Sequence, residues 1–283
     1  MKLPALAAAL ACCVVLGPAA SDARVNRFDT GRAWSLVQMQ LSYGQRPAGS
    51  PQLRRLANRL RARLPRGRFE ALPGEPGLRN IVGAIPGSRP GIVIGAHYDT
   101  LADPKGFVGA NNGAAGTAVV VEVARALARA KLKPGREIRF VLFDGEEPAR
   151  GLPEEQVDFY NSGLRGSRAY VGAHRGRTAA MVLLDYVGNK GLSLPREGNS
   201  SRQLWSLLRS SARSVGAISY FPDATGPGYL DDHSPFIKAG VPAIDLIDPN
   251  YRGHDASDRI DRLSKRSIDA VGETVTALAL RLR

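Results

Sequence analysis

Histidines and carboxylates recur at one kind of place along this chain. The apolar run GIVIGA (91–96) is followed by His97 and Asp99, and EIRFVLF (137–143) by Asp144, Glu146 and Glu147. MVLL is followed by Asp185; AIDLI (243–247) is followed by Asp248 and, six residues later, by His254. Imidazole nitrogens and carboxylate oxygens together are a ligand set that suits zinc. Adjacent carboxylates can also move protons as general acid and base. Any one of these acids has a plainer reading, because carboxylates after buried strands often cap helices or form turns. A Glu-Glu pair alone is a weak signal. Four such ends in one chain are what point to a site.

The elements that position these residues follow from the hydrophobic pattern. Runs of strand length recur at NIVGAI (80–85), GIVIGA (91–96), EIRFVLF (137–143), AAMVLLDYV (179–187) and AIDLI (243–247). They are rich in Val, Ile and Leu without polar alternation, as in strands buried on both faces. Helical stretches are expected over 29–64, broken by GQRPAGSP (44–51), and over 113–132, 201–215 and 264–281. Asp29 can cap the first helix and Ser50-Pro51 can start the second. This order predicts an α/β fold, a three-layer αβα sandwich with a central mixed, mostly parallel sheet. Ligands of such sheets bind at the carboxyl ends of the strands, where the His and carboxylates lie.

Composition narrows the function classes. The 283 residues are 43% hydrophobic and 23% charged, which excludes a disordered, collagen-like or multi-pass membrane protein. The net charge is +13, with 32 Arg and 7 Lys. The basic clusters at 54–68 and 259–266 alternate with apolar residues, as solvated helix faces do, and no interleaved aromatic-basic motif supports specific nucleic-acid binding. A serine hydrolase is disfavoured because no Gly-x-Ser-x-Gly elbow occurs. His174 is expected to be exposed, and Trp34 and Trp205 to be core residues.

The N-terminus reads as a signal peptide over residues 1–23. Lys2 precedes an uncharged apolar run from Leu6 to Leu16, and Ser21 and Ala23 suit a small-residue cleavage site. Cleavage would remove Cys12 and Cys13, the only cysteines, so neither a disulfide nor a thiolate metal site is expected in residues 24–283. No transmembrane segment is expected after signal removal, and the protein is expected to be exported: secreted, periplasmic or on the cell surface. Residues 24–283 are read as one catalytic domain.

GQRPAGS, GAHYDT, GFVGANNGAAGTAVVVEVARAL, FVLFDGEE, LLDYVG, DDHSPFIKAGVPAIDLID and HDASDRIDRLS together resemble the zinc aminopeptidase and glutaminyl cyclase superfamily, peptidase clan MH. The resemblance covers nearly the whole chain after residue 23, and DDHSPF…GVPA looks closest to the cyclase branch and its bacterial relatives. It implies one or two zinc ions and a substrate that is a peptide or protein N-terminus. It makes Glu146 the general base and Glu147 and His254 zinc ligands. His97 and Asp185 match ligands of a second zinc in aminopeptidases, and Asp99 the acid that orients His97. In cyclases Asp185 matches a hydrogen-bonding acid instead, with Asp231 as its partner, and His233 lies in the same pocket-lining segment.

The chain departs from the family at three places. The family reads Gly-Ala-Asn-Asp where this chain reads Gly109-Ala110-Asn111-Asn112, so the expected ligand aspartate is Asn112. A neutral amide oxygen can bind zinc but brings no charge. The consequence is a retained zinc, an impaired peptide-binding homologue, or deamidation at Asn112-Gly113. Cyclases carry an aromatic residue before the last histidine, where this chain has Gly253. The segment 149–164 reads as a loop at the rim of the site.

The activity expected is an exported zinc-dependent metallopeptidase of the aminopeptidase type, with Glu146 assisting attack of zinc-bound water. Glutaminyl-peptide cyclotransferase activity, forming N-terminal pyroglutamate, is the alternative. The sequence leaves open the zinc count, the N-terminal residue preferred and the oligomeric state.

Overall fold

The computed structural model describes residues 28–148 and 158–283. The expected signal peptide with Cys12 and Cys13, and residues 149–157 of the rim segment, lie outside the described residues.

Two helices open the described chain. Asp29 accepts a hydrogen bond from the Arg32 amide at the start of α1 (Thr30–Leu41). Ser50 accepts from Leu53 N ahead of α2 (Pro51–Arg61), whose first residue is the proline that helix starts tolerate. A six-stranded sheet follows from β1 (Arg68–Ala71), β2 (Arg79–Ile85), β3 (Ser88–His97), β4 (Arg136–Phe143), β5 (Thr178–Leu184) and β6 (Ala243–Leu246). Its spatial order is β1-β2-β4-β3-β5-β6. β3, β4, β5 and β6 run parallel, whereas β1 and β2 pair antiparallel at one edge. The sheet is therefore mixed and mostly parallel, as expected.

The helices cover both faces. Gly116–Arg129 (α3), Arg202–Ser214 (α6) and Lys265–Leu282 (α8) join α1 and α2 on one side. There Ile92, Ile94, Phe140, Leu142 and Val182 enter the larger core. The alternate residues Val93, Val141, Phe143, Met181 and Leu183 point to the other face, because successive strand side chains alternate. That face is covered by α5 (Arg165–Ala173) and α7 (Ser234–Lys238), which follow the short turn α4 (Phe159–Ser162). Phe143, Tyr170 and Phe236 meet there with ring centroids about 6 Å apart. The result is the αβα sandwich.

Three details differ from expectation. β1 (RFEA) is half exposed and too short and polar to read as a strand; Phe69 is held by the Arg79 guanidinium 3.7 Å above its ring. His174 is half-buried rather than exposed, with its ring against Tyr170 and Nε2 2.9 Å from Glu70. β4 is not purely apolar, since Arg139 is buried in it against Glu137 at 2.8 Å and the Tyr170 hydroxyl at 3.2 Å. Trp205 is buried in the core, and Trp34 packs against it half-buried.

Candidate active site

The carboxyl ends of the parallel strands carry the site. β3 ends on His97, and Asp99 lies just beyond, both fully buried. The turn after β4 presents Glu146 and Glu147, whose backbone amides each donate to Asp99 at 3.2 Å. Asp99 thus fixes the Glu pair through its two oxygens while its Oδ1 stands 3.6 Å from His97 Nδ1. Asp185 follows β5 and places Oδ1 3.5 Å from His97 Nε2. His97 Nδ1 is 3.7 Å from Glu146 Oε2.

Asn112 comes from the tight turn Ala110–Ala115 that leads into α3. Gly113 in that turn has φ +94°, and a Cβ there would meet the Asp99 carbonyl at 2.7 Å and the His97 ring at 3.2 Å. Asp258 pins the turn by accepting from the Asn111 and Asn112 amides, at 2.8 and 2.9 Å, and from the Tyr251 hydroxyl at 2.6 Å. Arg46, fully buried, holds the preceding loop by donating to Gly44 and Val108 carbonyls at 2.8 Å. This gives the GQRPAGS segment a structural job beside the site.

The electrostatics are those of a crowded acidic pocket. Burial, then Glu147, pushes the Glu146 carboxyl well above the usual range against the opposing pull of His97. Glu147 is pushed up to about 8, chiefly by burial, with His97 opposing and Asp99 adding to the rise. Burial alone would depress His97, but Glu146, Asp185 and Asp99 outweigh it and raise the imidazole well above its ordinary range. Burial and then Asp185 push Asp231 up to about 6.

A divalent cation such as zinc fits this donor set. His97, Glu146 and Glu147 each offer a ligand atom, and these atoms all lie within 4.8 Å of one another. Both His97 ring nitrogens are buried without a hydrogen-bond partner in the protein. A cation there would supply the partner that the imidazole lacks and offset the mutual repulsion of the carboxylates. Asn112 stands beside this group, its Nδ2 donating to Glu147 Oε1 at 2.8 Å. His254 is exposed on the loop after β6 and is not one of the three convergent residues; its ring meets Tyr186 edge-on at 6.2 Å.

The remaining sequence candidates divide. Asp144 and Asp248 are structural: Asp144 accepts from Arg79 N and the Tyr98 hydroxyl, and Asp248 from Asn189, Ser193 and Asn250. Asp231 and His233 lie in a second buried cluster with Asp245 and Glu197. His233 Nε2 is 3.3 Å from Glu197 Oε2, and Nδ1 is 3.7 Å from Asp245 Oδ2. Sequence reading missed both Asp245, whose one signal is a lone acid inside the apolar run AIDLI, and Glu197, which lies in a loop and carries no signal. Tyr186 was also missed. It follows Asp185 directly, is 9% exposed, and has the left-handed φ of +47° that non-glycine residues rarely adopt.

Comparison with known proteins agrees with this architecture. The chain is 30% identical over 204 residues to aminopeptidase YwaD of Bacillus subtilis, covering 66% of this chain and 40% of that protein. It is similar to the crystallised glutaminyl cyclase of Porphyromonas gingivalis, with 30% identity and a TM-score of 0.75 over 89% of this chain and 98% of the other. A Zn-dependent exopeptidase of Parabacteroides distasonis aligns with 25% identity and a TM-score of 0.75, covering 89% and 98%. The chain spans 35% to 65% of the length of the curated relatives YwaD, bovine glutaminyl-peptide cyclotransferase and a Streptomyces leupeptin-inactivating enzyme. Residues 80–279 match peptidase family M28, and the chain belongs to that family.

Proposed function

We propose that the protein is an exported zinc-dependent aminopeptidase acting on peptide N-termini. The observation that carries this reading is the convergence of His97, Glu146 and Glu147 in one buried pocket at the carboxyl edge of the sheet. Glu147, with Asn112 beside it, and His97, with Asp185 beside it, are the residues that would hold one or two zinc ions. His254 would join them from its loop. Bound zinc supplies Lewis acidity toward a carbonyl oxygen and toward water.

The chain's own residues do the rest. Glu146 takes the proton of the attacking water and delivers it to the departing amine. Asp99 holds Glu146 and Glu147 in register through their backbone amides and faces His97. Asp185 and Asp231, close enough for Asp185 to raise Asp231, offer negative charge to the free α-ammonium of the substrate. Export rests on the charged start and the apolar run from Leu6 to Leu16.

Glutaminyl cyclisation is the second reading, favoured by the DDHSPF…GVPA segment (231–243), which resembles the cyclase branch, and by the similarity to bacterial glutaminyl cyclases. In it the substrate's own amine attacks its side-chain carbonyl, and Glu146 carries the proton to departing ammonia. The test is a panel of free and N-acetylated tripeptides incubated with wild type and with Glu146→Gln, with and without a chelator. Release of the first residue from free peptides only, lost in Glu146→Gln and in chelator, supports the aminopeptidase reading. Equal turnover of acetylated peptides would overturn it.

A further inference from the structure

Tyr186 lies beside the site, packed onto the loop that carries His254. Gly253, the residue before His254, is buried and has no side chain. A Cβ built on it would meet Tyr186 Cζ at 2.6 Å, Cε1 at 2.7 Å and the hydroxyl at 2.8 Å. The tyrosine ring therefore fills the space that a side chain at 253 would take. The same ring meets His254 edge-on at 6.2 Å and Tyr251 at 5.5 Å. Its backbone follows Asp185, whose Oδ1 accepts from Tyr186 N at 2.9 Å and also faces His97. Tyr186 holds a left-handed backbone, and such strain persists where surrounding structure enforces it, often at ligand sites.

We propose that Tyr186 is a specificity-determining residue: its ring, seated over Gly253 between Asp185 and His254, is the wall of the pocket for the first side chain of a peptide substrate. This rests on the reading of the site as one for peptide N-termini. The wall limits the depth of the pocket, so small first residues fit and large aromatic ones do not. Residues 186 and 253 form a reciprocal pair, since bulk at one excludes bulk at the other.

The test measures binding, so that it stands apart from turnover. Dissociation constants of zinc-loaded Glu146→Gln for Ala-initiated and Phe-initiated tripeptide amides are compared with those of the same protein carrying Tyr186→Ala or Tyr186→Phe. Tyr186→Ala should shift the ratio toward the Phe-initiated peptide by about tenfold or more, and Tyr186→Phe should leave it unchanged. Adding Gly253→Trp to Tyr186→Ala should return the ratio toward its starting value. An unchanged ratio in Tyr186→Ala, or an equal shift in Tyr186→Phe, would overturn the proposal; so would failure of folded protein to bind either peptide. Absence of wild-type turnover together with the expected ratio shift would overturn the proposed activity and leave the wall standing.

Discussion

The Asn112 side-chain amide donates a 2.8 Å hydrogen bond to Glu147 inside a pocket that water barely reaches. The bond satisfies one oxygen of a carboxyl group pushed up to about 8, chiefly by burial and against the opposing pull of His97. An aspartate at 112 would replace that donor with a second negative charge. Asn112→Asp should therefore destabilise the metal-free protein by about 1–3 kcal/mol, the cost of a lost buried hydrogen bond and a new like-charge contact. The same change should tighten zinc binding by about tenfold or more, because an added charge beside the cation is worth several kcal/mol at short range. Thermal melts without metal and zinc titrations against a competing chelator should move in opposite directions.

Glu146 has the environment expected of a proton carrier: buried, beside Glu147, with Oε2 3.7 Å from His97. Glu146→Gln preserves its shape and removes its basicity. Turnover should fall by about 10²–10⁴-fold, the usual contribution of a positioned acid-base group, while zinc binding persists. Steady-state kinetics on the best tripeptide and zinc stoichiometry on the same sample check both halves.

Glu197 anchors the second buried cluster. Burial works against its ionised form, but the His233 ring 3.3 Å away and hydrogen bonds from the Asn199 and Tyr229 amides hold it down to about 2, against an ordinary 4.5. A depressed folded-state value means that the stabilisation is fully present above about pH 4.5 and is lost as pH falls toward 2. Denaturant melts of Glu197→Gln should show lower stability than wild type at neutral pH, with the difference shrinking between pH 4.5 and 2. A constant difference across that window would contradict the assignment.

Arg139 and Glu137 form a buried pair inside β4, with side chains 3% and 10% exposed. Removing Arg139 leaves Glu137 paired only with Arg89, whose side chain is 54% exposed, so the cost falls below the ~3–5 kcal/mol of a fully stranded partner, to about 1–3 kcal/mol. Arg139→Ala should lower stability by that order in urea denaturation. Arg139→Met together with Glu137→Gln should recover a large part of it, because neither position then buries an unpaired charge.

Much of this was legible in the chain, and the rest was not for physical reasons. The long apolar runs at β2 to β6 read as strands because burial on both faces removes polar alternation. The acids after them read as a site because four strand ends share one edge. β1 escaped because four half-exposed residues carry no period, and Arg139 because a charge in an apolar run looks like an exception until its partner is seen. The convergence of His97 with Glu146 and Glu147 depends on parallel pairing of β3 and β4 in the register His97 opposite Phe143, a long-range fact that no local window contains. Tyr186 was hidden because its place over Gly253 joins two loops 67 positions apart. Asn112 was conspicuous in the sequence, but its bond to Glu147 required coordinates.

The most direct test follows a Gln-initiated peptide by mass spectrometry with the zinc-loaded protein, with the chelated protein, and with Glu146→Gln. The expected result is loss of the first residue by the zinc-loaded wild type alone, with Asn112 tolerated. Loss of ammonia alone would contradict the aminopeptidase reading in favour of cyclisation at the same site. An unchanged peptide, joined by no turnover across other first residues, would contradict catalysis at His97, Glu146 and Glu147 altogether.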